Sequence, residues 1–131
     1  ATAYSDSYLQ RMSAATLSEG DVAFAISSSG LPPSLRESMA VAQSYGATTI
    51  ALTRPDSELA RACRIVIGVE VPEHPDIFKP TAVRHVHALV VDILATLVAQ
   101  RRGAVTRESL RRIRSALASL LDHPGSLPVG D

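Results

Sequence analysis

Aromatic side chains are scarce in this sequence: three tyrosines, two phenylalanines and no tryptophan among 131 residues. The apolar mass is instead Ala, Val, Leu and Ile, which suits a sheet sandwiched between helices. Cysteine occurs once, so no intrachain disulfide can form, and a reducing cytoplasm is the expected setting. That residue, Cys63, has no Cys or His close by in sequence and reads as a buried structural thiol. An excess of either charge is also missing. Thirteen basic residues balance thirteen acidic ones, so net charge points to neither nucleic acid nor membrane. The longest apolar run, Ala88–Ala99, is interrupted by Asp92 and is too short to span a bilayer. The polar first ten residues do not read as a secretory signal. Internal repeats and low-complexity segments are absent. The chain does not open with Met, which is expected of a processed or truncated product.

What is present fits one domain, with residues 1–121 as its body and 122–131 as a flexible tail containing Pro and Gly. Ser5–Leu17 reads as a helix capped by Ser5 or Asp6, with Tyr8, Met12 and Ala15 at helical spacing. Val22–Ile26 is a short, wholly apolar run and reads as a strand buried on both faces. Pro32 and Pro33 suit the start of a helix to Tyr45, whose inward stripe is Leu35, Met39 and Ala42, stopped by Gly46. Thr48–Leu52 is a second strand. Ser57 caps a short helix over Glu58–Cys63, and Arg64–Val69 is a third strand. Val71–Pro80, with three prolines, must be an irregular loop. A long helix follows from Thr81 to Arg102, with Val86, Leu89, Val90, Ile93, Leu94, Leu97 and Val98 inward, and Gly103 ends it. Thr106 opens a last helix with an apolar side at Leu110, Ile113, Leu117 and Leu120. Strands alternating with helices predict an α/β fold, a three-layer α/β/α arrangement around a parallel sheet. Ligands in such sheets bind beyond the carboxyl ends of the strands. Ser27–Gly30, Thr53–Ser57 and Val71–Pro80 occupy those positions.

The first of these segments carries the strongest chemical signal. Ser27, Ser28 and Ser29 supply three hydroxyls between a strand and a helix N-terminus, and Gly30 lets the backbone approach closely. Hydroxyls donate to phosphate oxygens without burying a counter-charge, and the helix terminus favours an anion. The same residues also make a good strand-to-helix turn, and spacing alone leaves both readings open.

The segment Gly20-Asp21-Val22-Ala23-Phe24-Ala25-Ile26-Ser27-Ser28-Ser29-Gly30 resembles the signature of sugar-isomerase (SIS) domains: Gly-Asp, an apolar strand, then Ser-x-Ser-Gly. Gly46–Thr53 resembles the family's next strand, and Ser57-Glu58-Leu59-Ala60 its Ser-x-Leu-Ala segment. Asp92–Ala95 through Arg101-Arg102-Gly103 resembles a late helix of the effector-sensing half of RpiR-type bacterial transcription regulators. The resemblance covers roughly Ser5 to Leu121. It implies a doubly wound fold, a phosphorylated sugar or sugar acid as ligand, and a homodimer. Ser27 and Ser29 would bind the phosphate, Ser28 and Gly30 would line the same loop, and Ser57 would stand at the rim. No cofactor, catalytic residue or metal ligand is implied.

Two departures stand out. The family places a Thr two residues after the glycine, where this chain has Pro32, which cannot donate a hydrogen bond; Ser34 is the nearest substitute. The chain also begins after the family's opening helix, first strand and earlier Gly/Ser loop, and it lacks the helix-turn-helix through which a regulator would contact DNA. The edge of Val22–Ile26 would then be unpaired.

Other residues carry less. His85 and His87 are two apart and do not share a helix face. His74 lies in the proline loop, and all three read as ordinary histidines. Glu70, Glu73 and Asp76 cluster after the third strand and read as a solvated acidic loop. Arg101, Arg102, Arg107, Arg111, Arg112 and Arg114 read as a solvated face or dimer contact. The expected function is a cytoplasmic sugar-phosphate-sensing domain of a transcription regulator, with no membrane partner. Alternatives are a phosphosugar isomerase, for which no general base stands out, and a dimerisation domain that has lost its ligand.

Overall fold

The computed structural model describes residues 1–72 and 82–121. The elements run α1 (Ser7–Ala15), β1 (Val22–Ser27), α2 (Pro33–Ser44), β2 (Thr48–Thr53), α3 (Glu58–Ala62), β3 (Ile65–Gly68), α4 (Ala82–Arg102) and α5 (Ala104–Leu121). All three strands are parallel, in the order β1-β2-β3, with Val22 opposite Thr48 and Ile50 opposite Ile65. The predicted parallel α/β architecture is therefore present, and β1 lies at an edge among the described strands. The chain divides into two compact units, 1–89 and 90–131, with the boundary inside α4.

In the first unit, local chemistry sets the element ends. The Asp6 carboxylate accepts from the Tyr8 and Leu9 amides at 3.0 Å each and caps α1. Pro32 is the N-cap of α2, and Pro33 takes its first turn, where a missing N–H costs nothing. Gly46, at φ +89°, ends the connection after α2 in the left-handed region. Ser57 caps α3 by accepting from the Ala60 amide at 3.1 Å.

Strand side chains alternate between faces, so the register defines two sides of the sheet. One side presents Ala23, Ala25, Thr49, Ala51 and Thr53. Small residues there let α2 and α3 approach closely, and Ala25, Met39, Ala51 and Leu59 form a buried cluster flanked by Leu35 and Cys63. A second cluster of Ala14, Ala42 and Ala47 joins α1 to α2. The α2 stripe is thus as expected.

The other side corrects the sequence reading. Val22, Phe24 and Ile26 are 55%, 38% and 47% exposed, so β1 is buried on one face only. An unbroken apolar run registers that both faces prefer cover, not that this chain provides it on both. Leu52, on the same side, is fully buried. In α1, Tyr8 and Met12 are exposed and Ala14 is the buried residue. Cys63 is only half-buried, and burial raises its thiol pKa against the lowering effect of a hydrogen bond with Thr49.

The α4 expectation also needs correction. Its buried residues are Val83 and His87, whereas Leu89, Ile93, Leu97 and Val98 are about half exposed rather than inward. The helix extends beyond the apolar run on both sides: at 21 residues it is long and apolar enough to cross a membrane, by length and composition only. Gly103, at φ +46°, separates α4 from α5, which starts at Ala104, two residues before the expected Thr106. In the second unit, no described residue from Val90 to Ala118 is buried. The arginines of its basic run are exposed, as expected. His74, Glu73, Asp76 and the tail lie outside the described residues.

Candidate functional site

The carboxyl ends of the strands open onto a cleft of about 330 Å³ lined by Ser28, Ser29, Arg54, Val69, Glu70, Val71 and Val83. Each strand contributes the residues immediately after it. Ligands of open parallel α/β sheets bind here, beyond the carboxyl ends of the strands.

The serine loop is shaped by its own hydroxyls. The Ser27 hydroxyl oxygen accepts from the Gly30 amide at 3.0 Å, and that of Ser29 accepts from the Leu31 amide at 3.3 Å. An oxygen that accepts an N–H still holds a hydrogen to donate. Ser28 is exposed, Ser29 half-buried, and both face the cleft. The loop leads into α2, whose first turn carries no side-chain cap because Pro32 occupies the capping position. Ser34 is exposed in that turn and is not among the lining residues.

Gly30 is buried at φ +63°. A Cβ there would lie 2.3 Å from the Ser57 Oγ and 2.7 Å from the Thr53 Oγ1, so no other residue fits without displacement. Ser57 itself is 3% exposed and does not line the cleft. Its hydroxyl caps α3 and lies 3.2 Å from that of Thr53. Of the five residues singled out by the sequence, the structure brings Ser28 and Ser29 to the cleft, makes Ser27 and Gly30 the turn that carries them, and puts Ser57 underneath.

Arg54 was not singled out. It follows β2, whose Thr53 is in register with Ser27, lines the same cleft as the serines, and forms no ion pair with a described residue, whereas Arg36 is paired with Glu58. Its signal in the sequence was its place at a strand's carboxyl end. Glu70 lines the cleft beside it. The serine hydroxyls and the Arg54 guanidinium make a donor set suited to an oxyanion, and Glu70 is the one carboxylate among the described lining residues.

Residues 1–97 match the SIS domain family. The chain is 42% identical over 115 residues to the HTH-type transcriptional regulator HexR of Escherichia coli, covering 87% of this chain and 40% of that one. It is 36% identical over 120 residues to the Bifunctional protein glk of Burkholderia orbicola, covering 92% of this chain and 19% of that protein. Among solved structures it resembles the Vibrio vulnificus NanR protein complexed with ManNAc-6P, with a TM-score of 0.74 at 24% identity, over 89% of this chain and 44% of NanR. The chain thus spans about two-fifths of the length of HexR and of NanR. The match along most of its length, with the Ser-x-Ser-Gly turn placed at the strand ends, makes this chain a member of the SIS domain family.

Proposed function

We propose that this chain is the sugar-phosphate-sensing part of a bacterial transcription regulator. The observation that carries the reading is the cleft at the strand ends, lined by Ser28, Ser29 and Arg54. Ser28 and Ser29 offer hydroxyl donors to the phosphate from the cleft, Ser27 and the Gly30 backbone hold the turn that carries them, and Arg54 adds charge. Pro32 removes one donor that other family members have, and the cation in the cleft offsets that loss. HexR supports the regulatory half of the reading, being a transcriptional regulator that this chain matches over 87% of its own length. On this reading DNA is contacted by a separate helix-turn-helix, the protein acts in the cytoplasm as a homodimer, and the apolar sides of α4 and α5 meet protein rather than lipid.

Thermal denaturation with a panel of hexose 6-phosphates and their sugar acids tests the proposal. A ligand at a hundred times its Kd stabilises by about 2.7 kcal/mol, roughly several degrees in Tm. The double variant Ser28→Ala/Ser29→Ala should lose that shift while keeping the ligand-free Tm. No shift with any member of the panel would count against sensing and favour a dimerisation domain without a ligand.

A second reading rests on Glu70, the one carboxylate among the described lining residues. An isomerase would need a general base there. Turnover of an aldose phosphate, abolished in Glu70→Gln, would favour it; binding without turnover is expected.

A further inference from the structure

Two buried hydroxyls under the serine loop are not used by the cleft itself. Thr53 ends β2 and is fully buried, Ser57 is 3% exposed, and their oxygens are 3.2 Å apart. Both fill the space a side chain at Gly30 would take, as the clash of an added Cβ with each of them shows. Gly30 is held on its other sides as well. Its amide donates to the Ser27 Oγ at 3.0 Å, and its carbonyl accepts from the Leu59 amide in the first turn of α3 at 3.2 Å. That turn is itself held by Ser57, whose Oγ accepts from the Ala60 amide, while the Ser57 amide donates to the Arg54 carbonyl at 3.1 Å. One buried residue thus meets the serine loop through its side chain and the Arg54 turn through its backbone amide.

We propose that Ser57, together with Thr53, is a positioning residue: the hydroxyl pair sets the height of the serine loop against Arg54 and thereby the affinity for the anion, without touching the ligand. The inference rests on the reading of the serine loop as a phosphate site. Its physical basis is preorganisation. Hydroxyl donors aimed by a rigid support bind an anion without first being ordered, whereas a loop free to shift by a few tenths of an ångström must be ordered on binding. Two hydroxyls filling the space beside a glycine leave that loop no room to sink.

The test is titration of the full chain with inorganic phosphate and with glucose 6-phosphate, at a temperature where each variant is folded. The variants are Ser57→Ala, Thr53→Val and Thr53→Ser. Thr53→Val keeps the shape and removes the hydroxyl, and Thr53→Ser restores it. The expected result is affinity weakened roughly ten-fold in Ser57→Ala and Thr53→Val, the worth of one buried hydrogen bond. Thr53→Ser should stay close to wild type. The ligand-free amide resonances of Ser28 and Ser29 should move in the two weakened variants only. Unchanged affinity in Thr53→Val, with stability alone reduced, would overturn the proposal and leave the pair a plain helix support. If Ser57→Ala does not fold, the Thr53 pair decides by itself. Wild type that binds neither anion would instead remove the phosphate reading on which the inference depends.

Discussion

At the scale of single residues, short polar side chains hold the helix starts and the turn from which the cleft is built. Asp6 and Ser57 act as the helix caps their positions implied, because a cap needs only the three residues that follow it. Ser57 also meets Gly30 from 27 positions away, and no local pattern announces that contact. Its placement beneath the loop, not at the rim, follows from how α3 returns against β2 and α2. His87 is a second case. Helical spacing separated it correctly from His85, but its burial became visible only in the fold. Its Nε2 has no hydrogen-bond partner among the described residues, and burial lowers its pKa below the usual 6.5. The folded chain therefore takes up this proton less readily than the unfolded chain does. Stability attributable to neutral His87 is full above pH 6.5 and falls as pH drops from there towards the lowered folded value. Urea denaturation of wild type and His87→Leu between about pH 5 and 7 checks the sign. The wild type should lose stability towards the acid end more steeply than the variant; parallel curves would contradict the assignment.

At the scale of elements, kind and order were readable, and cover was not. The strands and helices of the first unit lie within two residues of their expected limits, because period, caps and glycine stops act locally. Which faces are covered is a property of neighbours. Val22-Ala23-Phe24-Ala25-Ile26 is apolar on both sides, yet only the alanine side is packed. The same distinction explains α4, whose long apolar stripe was expected to point inward and stands half exposed. In α5, Leu110, Ile113 and Leu117 form a stripe, each about half exposed. Apolar side chains at helical spacing are stable when a partner helix covers them. On the proposed homodimer reading, this stripe is part of the contact between copies. Leu117→Glu puts a charge into that contact and should shift sedimentation from dimer to monomer, with little change in far-ultraviolet circular dichroism. An unaltered dimer in that variant would place the contact elsewhere.

At the scale of the whole molecule, the SIS frame explains why the chemistry gathers at one end of the sheet. Parallel strands deliver Ser28 and Ser29 after β1, Arg54 after β2, and Val69 and Glu70 after β3 to a single cleft. Its serine side was legible because three hydroxyls and a glycine between a strand and a helix are an unusual local sequence. The arginine side was not, since a lone Arg in a turn is unremarkable until the register brings it to the same cleft as the serines. The central claim is that this cleft binds a phosphoryl group through the serine loop. The most direct test is amide chemical-shift mapping of the full chain during titration with glucose 6-phosphate, with inorganic phosphate in parallel. The account predicts saturable shifts centred on Ser28, Ser29 and Gly30 and extending to Arg54. Absence of shifts there for both ligands, or shifts confined to another part of the chain, would contradict it.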